Sequence, residues 1–138
     1  MTTIDQLARE FTEALDRGEL RYQHCRACDT AFMYPKPRCP RCHSADVEWA
    51  QAEGAGALVS MTIQRAGVPT EFESELPYAL GVVRLVEGVT LLARLAPDGD
   101  GRWSDYVLDG PVRFAGAMPH PETRLAAAWF RTDIQETS

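Results

Sequence analysis

The residues best placed to do chemistry in this sequence are four cysteines, Cys25-Arg26-Ala27-Cys28 and Cys39-Pro40-Arg41-Cys42, arranged as two C-x2-C pairs with ten residues between them. They are all the cysteines the chain has. A C-x2-C pair forms a tight knuckle that aims two sulfurs at one point, and two facing knuckles make the tetrahedral thiolate cage that Zn²⁺ prefers. The residue after the second cysteine of each knuckle usually needs φ > 0. Asp29 and His43 stand there, both of types that tolerate that region, although glycine is commoner. His24 and His43 adjoin cysteines, but four sulfurs already complete the cage, so both read as neighbours rather than ligands.

Other uses of the thiols are weaker fits. Four thiolates also suit iron in a rubredoxin-type site, and sequence alone leaves that metal open. Two disulfides would need an oxidising compartment, whereas the chain opens Met-Thr-Thr-Ile-Asp with no basic, apolar leader, which points to a reducing cytoplasm. A thioredoxin-like redox pair would need a single C-x-x-C beside a βαβ pattern.

The elements that must hold the knuckles follow from the flanking pattern. Ile4, Leu7, Ala8, Phe11, Ala14 and Leu15 repeat at helical spacing, with Thr2 or Thr3 able to cap the start and Gly18 the end. This amphipathic helix either packs back on its own domain or lies on another subunit; its N-terminal position leaves little of its own chain to cover it, which tilts the reading slightly to the partner, and sequence does not decide between them. Leu20 to Glu48 reads as the ribbon, in which Phe32, Met33 and Tyr34 precede the stiff turn Pro35-Lys36-Pro37 and are expected to pack over the metal site.

After Trp49 the pattern turns to short β runs. Leu58 to Ile63 forms one strand behind Gly54-Ala55-Gly56; Ala79 to Val86 and Val89 to Leu95 flank the hairpin signal Glu87-Gly88. Tyr106 to Leu108 and Val112 to Phe114 flank Asp109-Gly110-Pro111, and Leu125 to Phe130 reads as a closing strand or a short helix. The fold class is therefore mainly β: an N-terminal helix (1–19), a rubredoxin-like zinc ribbon (20–48) and a five-stranded Greek-key barrel of the OB type (49–138).

Composition narrows the function classes. With 138 residues, 45% hydrophobic and 25% charged, the chain is an ordinary globular protein, and no apolar run approaches the roughly twenty residues that span a bilayer. Arg21, Arg26, Lys36, Arg38 and Arg41 face only Asp29 between residues 21 and 43, so that stretch carries +4 against a chain total of −6. These cations either offset the −2 of a tetrathiolate zinc centre or form an anion-facing patch. With the cysteines committed to metal, no thiol is left for an acyl-transfer nucleophile. The one lysine, Lys36, lies between two prolines, and His120 lies between Pro119 and Pro121.

The ordered set of features, namely the helix, Cys25-x2-Cys28, Cys39-Pro40-x-Cys42, Gly54-x-Gly56, Leu76-Pro77-Tyr78, Glu87-Gly88 and Gly110-Pro111-Val112, resembles the zinc-ribbon plus OB-fold acyl-CoA-associated proteins of domain-of-unknown-function family thirty-five. Asp29 and His43 depart from the glycines frequent in that family, as does the acidic stretch from Glu71 to Glu75. The resemblance implies structural Zn²⁺ and a non-catalytic partner of a thiolase-fold enzyme subunit (a thiolase, an acyltransferase or an acyl-CoA side-chain aldolase), with acyl-CoA as ligand of the complex. For such a ligand, Arg65 could meet phosphates, and Phe72 and Tyr78 could wall the acyl tail; the competing reading puts both rings inside the barrel and Arg65 in solvent. The alternative function is single-stranded nucleic-acid binding, which OB barrels and ribbons also perform, but the acidic barrel portion argues against it. A stand-alone metalloenzyme is disfavoured, since a closed four-cysteine cage has no open coordination position.

Overall fold

The structure, a computed structural model, describes residues 3–33, 35–70, 73, 76–97, 103–119 and 126–132. It opens with helix α1 (Ile4–Asp16), which starts where the Thr3 hydroxyl accepts the Gln6 N–H at 3.2 Å. That cap satisfies one of the donors a helix start leaves open. The helix ends at Gly18, whose φ of +83° lets Glu19 N–H turn back to the Ala14 carbonyl at 2.8 Å.

Next comes a three-stranded antiparallel sheet in which β1 (Arg21–Cys25) lies between β2 (Ala31–Phe32) and β3 (Val47–Gln51). The strands that follow are β4 (Ala55–Gln64), β5 (Tyr78–Leu85), β6 (Thr90–Leu95), β7 (Pro111–Pro119) and β8 (Ala126–Thr132), and they close a barrel in the order β4-β5-β6-β8-β7. All neighbours are antiparallel except β6 and β8, which run parallel, and β7 returns to β4. This is the Greek-key closure expected of a small OB barrel. Register shifts at Leu58/Ser60 and Phe114/Gly116 provide the bends that closure needs.

Strand alternation fills the interior. Ala79, Val83 and Leu85 of β5 and Leu91, Ala93 and Leu95 of β6 are buried with Leu58, Val112 and Phe130. Gly81 continues this inward row, and a Cβ there would come 2.8 Å from Leu58 Cδ1. Only glycine leaves room for both leucines.

One expectation needs correcting and two open alternatives are decided. Tyr106 to Leu108 is not a strand: the Tyr106 hydroxyl lies 2.6 Å from the Ala96 carbonyl and 3.1 Å from that of Phe130, which makes it a pin across the barrel end. Val107 and Leu108 are exposed, and Asp109, at φ 64°, turns the chain into β7, of which Val112 to Phe114 is only the first part. The closing segment is a strand, β8, and the count of five barrel strands stands.

The third concerns α1, which packs on its own chain. Leu7, Ala14 and Leu15 are buried, Leu15 joins the main core, and Phe11 packs against it, with the helix lying against β1, β7 and β8. Trp49 of β3 completes the seam: its indole N–H donates to Glu10 at 2.8 Å and its ring stacks on Phe11. Sequence position suggested a helix without cover, because the β7 and β8 surface it covers is assembled by chain a hundred residues away.

Candidate metal centre

The two knuckles are built alike. Cys25 N–H donates to the Thr30 carbonyl at 2.8 Å and Asp29 N–H to Cys25 at 2.8 Å; Cys39 N–H donates to the Ser44 carbonyl at 2.9 Å and His43 N–H to Cys39 at 2.9 Å. Asp29 and His43 have φ of 67° and 66°, the left-handed backbone that such a turn demands. One knuckle leaves the end of β1, and the other follows the proline turn.

That turn is held by a residue the sequence reading passed over. Gln23 of β1 is 2% exposed; its carbonyl accepts the Lys36 N–H at 2.7 Å, and its amide donates to the Lys36 carbonyl at 2.9 Å. Glutamine is seldom interior. A polar residue at an inward position of a short strand was the available signal. Phe32 packs with Cys25 and Cys39 as expected, whereas Met33 packs on the main core instead, and Tyr34 lies outside the described residues.

The four sulfurs lie within 4.8 Å of one another, with Cys25 and Cys42 at 3.5 Å and Cys28 and Cys39 at 3.6 Å. A tetrahedral centre with metal–sulfur bonds of about 2.3 Å places its sulfurs about 3.8 Å apart. Four thiolate donors gathered this closely suit such a centre. Cys25 and Cys39 are buried, Cys28 is half-buried and Cys42 reaches the surface.

Proton affinities point the same way. The Thr30 hydroxyl at 3.1 Å is the main cause holding Cys28 down to about 6, helped by the Thr30 N–H and the neighbouring thiols against desolvation. Cys42 is pushed up to about 12; the Ser44 N–H favours its thiolate but is outweighed by desolvation and by the sulfurs of Cys25, Cys28 and Cys39. Burial works to raise Cys39, yet the N–H groups of Cys42 and Arg41 bring it below its ordinary value. So close a set of sulfurs cannot ionise together unless a cation joins them.

The surrounding cations are largely engaged. Arg26 pairs with Glu48 and, at 3.9 Å, Asp46; Arg21 reaches Glu19 at 3.4 Å; Arg38 donates to the His43 carbonyl at 3.1 Å. The carboxylates involved, Glu19, Asp46 and Glu48, stand just outside residues 21–43. His24 turns to Asp29 at 2.7 Å, and the sulfur cluster includes neither His24 nor His43.

Of the three ligand-contact candidates, Arg65 is exposed beyond the end of β4, and Phe72 lies outside the described residues. Tyr78 opens β5 opposite Gln64 and packs under Arg94, whose guanidinium carbon lies 4.1 Å from the ring centre. The start of β5 thus lies beside the end of β4 that leads to Arg65.

Comparison with known proteins adds family likeness to this geometry. The family described as "ChsH2, rubredoxin-like zinc ribbon domain" matches residues 12–48, and "ChsH2, C-terminal OB-fold domain" matches residues 49–116. A solved structure, "Ltp2-ChsH2(DUF35) aldolase", superposes with a TM-score of 0.76 at 27% identity, over 97% of this chain and 100% of that one. A DUF35-family protein from Sulfolobus solfataricus shares the fold at a TM-score of 0.60 and 13% identity, over 91% of this chain and 84% of that one. A "DUF35 domain-containing scaffold protein" of Pyrococcus furiosus is 42% identical over 65 residues, 46% of this chain and 47% of its own length. A "Probable enoyl-CoA hydratase alpha subunit" of Thermomonospora curvata is 38% identical over 89 residues, 62% of this chain. The match spans only 27% of that hydratase subunit and about half of the scaffold protein.

Proposed function

The chain belongs to the ChsH2 family of zinc-ribbon and OB-fold proteins, and from that premise we propose that it is a non-catalytic accessory subunit of a thiolase-fold enzyme that acts on an acyl-CoA. The observation that carries this reading is the near full-length likeness to the ChsH2 (DUF35) chain of an aldolase, at 27% identity over 97% of this chain. The relatives' names, a scaffold protein and one subunit of a hydratase, fit a protein that works inside an assembly.

Cys25, Cys28, Cys39 and Cys42 then hold one Zn²⁺ whose role is structural. Four thiolates leave no coordination position for water or substrate, so the ion stabilises the ribbon. Its binding is also folding free energy for a segment with few large apolar side chains, on the order of 10–16 kcal/mol at neutral pH. The protein's own part in the reaction is to support the enzyme and enclose its acyl-CoA, with Arg65, Phe72 and Tyr78 as the contacts on this chain.

The test is kinetic. A thiolase-fold enzyme encoded beside this chain should turn over its acyl-CoA at least tenfold faster with the chain than without it, while the chain alone turns over nothing. Full activity in the enzyme alone with no gain on mixing, or turnover by the isolated chain, would refute the reading.

A further inference from the structure

The two knuckles share a backbone but differ in the cover they give their second sulfur. Two residues after Cys28 stands Thr30, whose hydroxyl lies 3.1 Å from the Cys28 sulfur. The equivalent residue after Cys42 is Ser44, and its hydroxyl instead accepts the Asp46 N–H at 3.1 Å. Exposure follows the same asymmetry, with Cys25 and Cys39 buried, Cys28 half-buried and Cys42 at the surface. Cys42 is thus the sulfur of the cage that is both open to solvent and turned away from by its neighbouring hydroxyl.

Oxidants select for these two properties. A thiolate reacts at a rate that follows its exposure and its electron density, and a hydroxyl donating to sulfur draws that density away. The outcome then depends on whether a second sulfur is within reach. Cys25 Sγ, on the other knuckle, lies 3.5 Å from Cys42 Sγ. Cys25 ends β1 and Cys42 belongs to the turn before β3, so a bond between them joins the two knuckles directly.

We infer, from the zinc-bound state proposed above, that the cage is a redox switch in which hydrogen peroxide attacks at Cys42 and Cys25 resolves the product as a disulfide. In the first step the Cys42 thiolate attacks the peroxide: an S–O bond forms, the O–O bond breaks, and the leaving hydroxide takes a proton and departs as water. Cys42 is left as a sulfenic acid. In the second step the Cys25 thiolate attacks Cys42 Sγ, an S–S bond forms, the S–O bond breaks, and a second hydroxide leaves as water. In sum, two thiolates, one peroxide and two protons give one disulfide and two waters; the sulfurs lose two electrons and the peroxide gains them. Cys28 and Cys39 alone then remain as thiolates, and two sulfurs do not hold Zn²⁺ as four do. The ribbon loses its tie, while the barrel core, a separate cluster without these sulfurs, is untouched.

The zinc-loaded chain, treated with hydrogen peroxide beside a chromophoric chelator, should release its ion, and peptide mapping should find Cys25 joined to Cys42 with Cys28 and Cys39 still free thiols. Dimedone, which caps sulfenic acids, should label Cys42 about tenfold ahead of Cys28. A dithiol reductant with added Zn²⁺ should restore the loaded state. Thr30→Val keeps the side-chain shape without the hydroxyl; with Cys28 opened as a second point of attack, release should be about twofold faster, and a Cys28–Cys39 disulfide should appear between the sulfurs that stand at 3.6 Å. If that variant does not take up Zn²⁺, the order of dimedone labelling in the native chain decides. A loaded chain that keeps its ion through millimolar peroxide would overturn the inference and leave the zinc-bound state standing, whereas a chain purified without metal would overturn both. First labelling at Cys28, a disulfide within one knuckle, or a loaded Thr30→Val with native rate and native disulfide map would also overturn the switch.

Discussion

Replacing Gln23 by alanine tests whether the strand beneath the knuckles, and not only the cysteines, sets the metal affinity. The side chain makes two hydrogen bonds to one backbone unit, at 2.7 and 2.9 Å, from a position that is 2% exposed. Each such bond contributes about 1 kcal/mol net, and Lys36 is only half-buried, so water replaces part of what its N–H and carbonyl lose. The expected loss is about 2 kcal/mol. Because the turn it fixes delivers Cys39, the loss falls on the metal-bound conformation, and at about 1.4 kcal/mol per decade Gln23→Ala should bind Zn²⁺ roughly thirtyfold more weakly. Competition against a chromophoric chelator measures this directly. Gln23→Glu, which retains the acceptor for Lys36 N–H, should lie between native and alanine. A Gln23→Ala protein with Zn²⁺ affinity within twofold of native would show that the ribbon holds its geometry without this strut, and the coupling argument would be wrong.

Other expectations follow from the same geometry. Tyr106→Phe should lower stability by about 1–1.5 kcal/mol in urea unfolding, since the ring stays while the hydroxyl bond to the Ala96 carbonyl is lost. Gly81→Ala should cost about 1–3 kcal/mol in the same assay, because the new methyl meets Leu58 at 2.8 Å and Leu95 at 3.0 Å inside a closed barrel. Zn²⁺ affinity should fall as pH falls, since binding displaces the proton of Cys42, whose thiol is pushed up to about 12. Below about 6, where Cys28 also takes up a proton, the plot of log affinity against pH should steepen by one further proton; an unchanged slope would contradict the separation of the two thiols.

How far sequence reached depends on the range of the interactions involved. The sulfur cluster was legible because its spacing is local, and so were the left-handed turns at Asp29 and His43, now found at φ 67° and 66°. The barrel strands with clear alternation, β5 and β6, were legible for the same reason. Tyr106 to Leu108 has strand-like residue types, but its tyrosine is spent on carbonyls of Ala96 and Phe130, contacts that no local pattern encodes. The helix looked uncovered because its cover is the distant β7 and β8. Gln23 was missed because its partner is backbone, which residue types do not reveal.

The central claim, a zinc-bound accessory subunit, is tested most directly by native mass spectrometry of this chain co-expressed with a thiolase-fold enzyme encoded beside it. The account predicts a hetero-oligomer in which every copy of this chain carries one Zn²⁺, and loss of both the ion and the assembly in Cys39→Ser. A free, metal-loaded monomer alongside a fully assembled and active enzyme would contradict the assignment of an accessory role. A stable complex without metal would contradict the structural zinc.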